Sequence, residues 1–312
     1  MLNLELSWHQ AAITSGCLFA AAAVTSTAAK VNTRPRLKLV AAVSTEAGLL
    51  LGLFALWQFA GSFTFFSPDG ALPRARWIWH AERLMHLPSE AALQQVLLPH
   101  PLLIQAFNLY YLALHFPVLI ACLIWLFARH RQYYRRIRTT IVIFTAISLL
   151  IQFLPVAPPR MLPGDHMVDT AIRYGQSVYG TGFAADQLSA MPSVHVGWAI
   201  IVALAVITVC RSRWRWLALG YPLLTTLVVV VTANHFWLDG IAAAALLGLV
   251  LLAQLSFAAW RPWRRAGEAA AASAAVAAVA EARPAAPSWP QPPPGQPGRP
   301  VPESGQTVSG SR

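Results

Sequence analysis

The sequence is poor in charged residues, and this scarcity excludes an ordinary soluble protein. Charged side chains make up 11% of the 312 residues, whereas a soluble domain carries about a quarter. Hydrophobic residues make up 56%, so the same chain in water would expose a large apolar surface. The composition therefore predicts an integral membrane protein.

Cysteine is also scarce. Cys17, Cys122 and Cys210 are odd in number and widely separated, and each lies in or beside an apolar stretch. This pattern indicates neither a disulfide framework nor a zinc site. We predict no metal and no cofactor.

Acidic residues are half as numerous as basic ones, 12 against 23, which gives a net charge of +11. The basic residues do not form the single basic face typical of nucleic-acid binding. They form four clusters between apolar runs, Lys30/Arg34/Arg36/Lys38, Arg129/Arg131/Arg135/Arg136/Arg138, Arg211/Arg213/Arg215 and Arg261/Arg264/Arg265. Because cytoplasmic loops are enriched in Lys and Arg, we assign the clusters to the cytoplasm and the long loops 61–100 and 157–192 to the outer face.

Apolar runs of membrane-spanning length predict an all-α, polytopic transmembrane helix bundle of six to seven spans. The candidate spans are Ala11–Ala29, Leu39–Ala60, Pro101–Phe127, Thr139–Val156, Ser193–Cys210, Trp216–Thr232 and Leu238–Trp260. Apolar residues at helical spacing around Pro88 predict a pair of interfacial helices in the outer loop 71–100. We divide the chain into N-terminal spans with these outer helices (1–100), a membrane core (101–260) and a disordered cytoplasmic tail rich in Ala and Pro (266–312).

This topology places three polar segments at the outer face: 155–160, 191–195 and 234–239. In the third segment, His235 and Asp239 are four residues apart, so on a helix the carboxylate orients the imidazole and leaves the other ring nitrogen basic. A nucleophilic histidine needs that arrangement. The same spacing also fits two ligands of a metal site.

In the second segment, Pro192 suits the first turn of a helix that enters the membrane. The free N–H groups of that turn attract an anion, Ser193 adds a hydroxyl and His195 a titratable proton. The alternative is a helix cap beside an interfacial histidine. Arg160 of the first segment can hold phosphate oxygens through its guanidinium fork, or extend its side chain to the interface.

Taken in order, Pro-Pro-Arg160, Met-Pro-Ser-Val-His195 and Asn-His235-Phe-Trp-Leu-Asp239 resemble the three motifs of the type-2 phosphatidic acid phosphatase superfamily. The match is closest to its inositol phosphorylceramide synthase-like branch, which the stretch Asn108-Leu-Tyr-Tyr111, His115-Phe-Pro117 also resembles. The resemblance implies a metal-independent reaction at the outer face in which His235 becomes a phosphohistidine. It further implies that Asp239 orients His235, that His195 protonates the leaving oxygen, and that Arg160 and Ser193 bind the phosphoryl group.

Two positions depart from the fuller phosphatase pattern. Phe153 and Val229 stand where that pattern has a lysine and an arginine, and Arg173, in an outward loop, is a candidate substitute. The sequence therefore predicts a lipid phosphatase or an inositol-phosphate-type head-group transferase whose lipid substrate comes from the outer leaflet. The alternatives are a non-catalytic transporter or scaffold and an inactive member of the same fold. Neither the head group nor the oligomeric state is readable.

Two ionisable residues lie inside predicted spans, where charge is costly and usually functional. For Glu46 we predict a hydrogen bond between helices. His115 is a candidate to support the histidine site from behind.

Overall fold

The structure is a computed structural model that describes residues 7–31, 34–61, 70–164, 167–177 and 187–258. The described part is an all-α helical bundle without strands, as predicted. Its helices are α1 (Trp8–Val31), α2 (Pro35–Gly61), α3 (Ala71–Leu84), α4 (Glu90–Leu97), α5 (Pro101–Leu109), α6 (His115–Arg129), α7 (Arg131–Gln152), α8 (Thr170–Arg173), α9 (Val194–Val209), α10 (Gly220–Val231) and α11 (Trp237–Ala258).

Five helical segments of the described residues are long and apolar enough to cross a membrane: Trp8–Lys30, Pro35–Leu56, Pro101–Arg129, Arg213–Val231 and Trp237–Ala258. The apolar helix α9 has 16 residues, and α7 has 22 residues with a strongly basic first half. The chain is therefore a multi-pass membrane protein. Whether α7 and α9 complete the predicted six to seven spans stays a prediction.

The main core lies where α6, α7, α9 and α11 meet. Its buried residues include Leu123, Phe144, Val202 and Leu247. Helices α7 and α9 approach each other closely, because the ring of Phe144 fills the space that a side chain at Gly197 would occupy. A glycine at this position lets α9, which carries His195 in its first turn, lie directly against α7.

The segment Pro101–Arg129 is one continuous helix with an irregularity in its middle. Tyr110–Leu114 form a π-helical turn between α5 and α6, a feature often found at functional sites. No pattern in the local sequence predicts this turn. It lies immediately before His115 and includes Tyr111, and both rings pack on His195.

A second, smaller core holds the loops of one end of the bundle against α3. It contains Ala75 and Ile78 of α3 together with Val156 and Phe236 of the first and third polar segments and Ala190, which immediately precedes the second. Helices α3 and α4 flank Pro88 as predicted, with Ser89 capping α4 by accepting a hydrogen bond from the backbone N–H of Ala92. Their placement at the membrane interface remains a prediction.

Several predicted bounds need correction. The span predicted at Thr139–Val156 belongs to a helix that begins at Arg131 and ends at Gln152, and residues 153–156 leave it because Pro155 and Pro158-Pro159 follow.

The expected contact of Glu46 is confirmed, since its carboxylate binds Arg138 at 2.5 Å and the hydroxyl of Tyr134 at 3.0 Å, both on α7. The predicted tail, 266–312, lies outside the described residues.

Candidate active site

The chain reverses its direction sharply after α10, and this turn sets the position of His235. The N–H of Asn234 bonds to the carbonyl of Val229 at 3.0 Å, and that of Ala233 to Val230 at 2.9 Å. These are the two bonds of a Schellman cap, in which the first residue beyond the helix cap normally has a left-handed backbone conformation. Ala233 takes that conformation with φ of 53°, at a cost of about 1 kcal/mol relative to glycine. The cap turns the following residues back across the end of the bundle.

Two oxygen atoms determine which nitrogen of the His235 ring carries the hydrogen. Its Nδ1 lies 2.7 Å from the carbonyl oxygen of Ala190 and 3.3 Å from Oδ2 of Asp239. A carbonyl can only accept, so Nδ1 carries the hydrogen and donates it. The lone pair of the neutral ring is then on Nε2. His235 is 6% exposed, so this basic nitrogen is held in a largely buried site.

The contact between His235 and Asp239 was predicted, but its structural origin was predicted wrongly. We expected both residues on one helix, whereas α11 begins at Trp237 and His235 precedes it. Asp239 lies in the first turn, and its Oδ2 accepts from the N–H of Phe236 at 2.9 Å as well as from His235. The fully buried carboxylate thus caps its own helix and orients the ring at the same time.

His195 lies in the first turn of α9 among other aromatic rings. Its ring stacks on Tyr111 with centroids 4.4 Å apart, and the centroids of His115 and His235 lie at 4.8 Å and 5.9 Å. His115 is buried and its Nδ1 lies 3.2 Å from the hydroxyl of Tyr221. The rings of the two predicted site histidines are therefore neighbours, and the ring of His115 packs on that of His195. A supporting role of His115 stays a prediction.

The start of α9 differs from the prediction at one residue. Pro192 lies outside the helix, which begins at Val194 with Ser193 as its N-cap. Ser193 is fully buried, and its Oγ accepts from the N–H of Val196 at 3.4 Å. Its own N–H donates to the carbonyl of Asp239 at 3.1 Å. Ser193 thus joins the second polar segment to the third, and its predicted contact with a phosphoryl group remains a prediction.

Arg160 is bound to the histidine segment rather than extended to the interface. It lies in the 3₁₀ turn Pro159–Met161, where its backbone N–H donates to Ala233 at 3.1 Å and its guanidinium to Oδ1 of Asn234 at 2.6 Å. Its Nε lies 3.0 Å from Oδ2 of Asp169. The side chain of Arg160 is 3% exposed, so the structure places a buried cation beside the residue that precedes His235.

Three further residues singled out in the sequence are Arg173, the second candidate cation, and Phe153 and Val229, which stand where the phosphatase pattern has cations. Arg173 is at the exposed C-terminal end of α8, with its guanidinium over the ring of Tyr174. Among the described residues no contact joins it to His195 or His235, so its phosphate-binding role stays a prediction. Val229 is buried in apolar surroundings with Val196 and Val230. Phe153 ends α7 as its C-cap.

Sequence reasoning missed Asp169, although its residue type contained a signal. Its Oδ1 accepts from the N–H of Ile172 at 2.9 Å and so caps α8, while its Oδ2 pairs with Arg160. An aspartate three residues before Ile172 fits a helix N-cap. Its pairing with Arg160 could not be predicted, because the two residues lie in one loop without the regular spacing that would indicate which side chains meet.

The fold and the site define a class: a polytopic helical membrane protein with a buried arginine, an oriented histidine and a second histidine at one end of the bundle. Residues 76–253 match the PAP2 superfamily, and since they exceed half of the chain, it belongs to that superfamily. Membership indicates an enzyme of the phosphatase or phosphotransferase type that acts on lipid phosphates. No curated protein and no solved structure matches the chain significantly.

The protonation of His235 can be measured directly. In protein labelled with ¹⁵N-histidine, we expect the His235 ring in its neutral form to show a protonated Nδ1 and an unprotonated Nε2, because Ala190 and Asp239 both accept from Nδ1. The chain has 9 histidines, so the His235→Gln variant assigns the signal by its disappearance. A ring protonated on Nε2 alone would contradict the geometry.

Proposed function

We propose that the chain is a metal-independent phosphoryl-transfer enzyme that acts on a membrane lipid through a phosphohistidine at His235. The observation that carries the proposal is the orientation of the His235 ring, whose Nδ1 is held by Ala190 and Asp239 while Nε2 keeps its lone pair. A nucleophile needs such a lone pair and a negative partner for the charge that grows during attack. Superfamily membership supports the same chemistry in general terms.

The reaction proceeds in two displacements. Nε2 of His235 attacks phosphorus, the bond from phosphorus to the leaving oxygen breaks, and His195 donates its proton to that oxygen. Nδ1 keeps its hydrogen, and Asp239 balances the positive ring. In the second step His195 takes a proton from water or from an acceptor alcohol, whose oxygen attacks phosphorus and releases His235. The ring centroids of the two histidines are 5.9 Å apart, which allows both to reach one phosphoryl group.

The charges near His235 favour a phosphodiester over a phosphomonoester. A monoester carries a charge of about −1.5 to −2 at neutral pH, whereas a diester is singly charged. Arg160 is already paired with Asp169 at 3.0 Å, and Phe153 and Val229 supply no charge. A site with so little positive charge is better matched to the single negative charge of a phosphodiester. This supports a head-group transferase similar to the inositol phosphorylceramide synthase-like branch, with phosphate-monoester hydrolysis as the weaker activity.

We place the site at the extracytoplasmic face and the C-terminal tail in the cytoplasm. The support is the distribution of basic clusters, which lie between spans on the side opposite to the loops that carry Arg160, His195 and His235. Arg160, Ser193 and Arg173 are proposed to bind the phosphoryl group, with the lipid arriving sideways from the outer leaflet.

Purified protein given three lipid classes tests the function. With phosphatidylinositol and an alcohol acceptor we expect a new phosphodiester, and less free phosphate from phosphatidic acid or a prenyl diphosphate. The His235→Gln variant should lose all turnover, since no nucleophile remains. A non-catalytic transporter or scaffold, or an inactive member of the fold, predicts that the wild-type protein turns over none of these lipids.

Asp169→Asn tests the charge argument without removing the cap of α8, because asparagine caps helices as well as aspartate does. With the ion pair to Arg160 neutralised, we expect inorganic vanadate to inhibit roughly fivefold more tightly, the factor for about 1 kcal/mol in a partly exposed pair. The ratio of phosphatidic acid to phosphatidylinositol turnover should rise. Arg173→Gln is the matched variant on α8, and it should weaken vanadate inhibition if Arg173 binds the phosphoryl group. Unchanged inhibition by vanadate in Asp169→Asn would contradict the charge argument.

A further inference from the structure

A pair of buried carboxyl groups lies behind the His235–Asp239 segment. Glu82 of α3 and Glu90 of α4 are 0% and 1% exposed, far less than carboxyl side chains usually are. Oε1 of Glu82 accepts a hydrogen bond of 2.7 Å from the backbone N–H of Leu238, the residue immediately before Asp239. N–H groups in the first turn of a helix have no partner within the helix, so Glu82 caps α11 from a distant part of the chain.

The charges around this pair indicate that it holds one proton. Arg83 binds Glu90 at 3.1 Å and lies 3.8 Å from Glu82, so the nearest cation is shared by two carboxyl groups, and Asp239 adds further negative potential. Burial, and next the hydrogen bond to Glu90, raise the pKa of Glu82 to about 9. Among the described residues, Oε2 of Glu82 and Oε1 of Glu90 are both buried and accept a hydrogen bond from no donor. One proton between them satisfies both oxygens.

Two further sets of hydrogen bonds join α4 and the connecting Pro88 to the chain before and after His235. The indole N–H of Trp237 donates to the carbonyl of Pro88 at 2.9 Å. The amide of Gln94 donates to the carbonyl of Val231 at 3.0 Å and exchanges two bonds with Val168. The helix pair therefore braces the chain on both sides of His235, and Glu82 is the contact nearest to Asp239.

We propose that Glu82, in a carboxyl pair with Glu90 that shares one proton, is a positioning residue that fixes the first turn of α11 and so aims Asp239 at His235. The catalytic part of this proposal rests on the function proposed above. The structural part does not, since it concerns only the order of residues 236–240. Loss of the shared proton places two carboxylates side by side in a buried site, where like charges repel strongly.

The sign of the pH effect follows from the raised pKa. In the folded protein Glu82 holds its proton up to about pH 9, whereas the ordinary value is 4.5. Its contribution to stability is therefore complete below pH 4.5 and decreases as the pH rises toward 9. The groups that face it are Glu90, Arg83 and Asp239. Glutamine at position 82 keeps the acceptor for Leu238 and has no proton to lose.

Hydrogen–deuterium exchange of the peptide 236–240, corrected for the intrinsic pH dependence of exchange, tests the proposal without a substrate. In Glu82→Ala we expect this peptide to lose its protection, while Glu82→Gln keeps it. Between pH 7 and 10 the wild type should lose protection and Glu82→Gln should not. Glu46→Gln is the matched control, because it removes the charge of a carboxylate that pairs with Arg138 elsewhere in the bundle.

In the activity arm, Glu82→Ala should slow phosphoryl transfer by roughly tenfold to a hundredfold, as for a misplaced catalytic group, with little change in KM. Glu82→Gln should restore the rate. Wild-type protection at 236–240 in Glu82→Ala overturns the proposal, as does a Glu82→Gln variant as impaired as Glu82→Ala. If Glu82→Ala does not fold, the comparison of wild type with Glu82→Gln across pH decides. If the wild type turns over no lipid, the proposed function fails, and the exchange experiment still decides the role of Glu82.

Discussion

The site depends on one constraint: backbone that leaves a helix at the end of an apolar bundle must find hydrogen-bond partners within the protein. Three chain segments lie next to helix ends here, and their backbone groups form hydrogen bonds with one another. Val156 donates to Leu188 and accepts from Ala190, which joins the first segment to the residues before the second. Ser193 donates to Asp239 between the second and the third, and Arg160 donates to Ala233, just before the third. The bonds that satisfy the backbone also set the positions of the catalytic candidates.

The same constraint explains the orientation of His235. The carbonyl of Ala190 needs a donor, and the Nδ1 hydrogen supplies it at 2.7 Å. The ring is therefore held by a structural requirement of the fold and by Asp239 together. Asp239 is itself held by its cap on Phe236 and by a helix start that Glu82 completes from α3. Helix α3, the first turn of α11 and His235 are thus joined by one series of hydrogen bonds.

Sequence alone predicted the helical class, the membrane location and the segments that meet, because apolar length and charge distribution act over whole helices. It was also sufficient to pair His235 with Asp239, although the predicted shared helix was wrong: a Schellman cap with a left-handed Ala233 places His235 before α11. The contact of Glu82 with Leu238 joins residues 156 positions apart in the chain, and the contact of Asp169 with Arg160 follows no helical or strand spacing. Local pattern carries no information on such pairs, since burial decides them only after the helices have packed.

The central claim is that His235 forms a covalent bond to phosphorus, and trapping that bond tests it most directly. Purified protein is mixed with ³²P-labelled phosphatidylinositol without an acceptor, quenched in alkali and digested. The account predicts an acid-labile label on the peptide that contains His235, absent in His235→Gln and reduced in Asp239→Asn. Turnover of the lipid with no label on that peptide, or with equal label in His235→Gln, would contradict it.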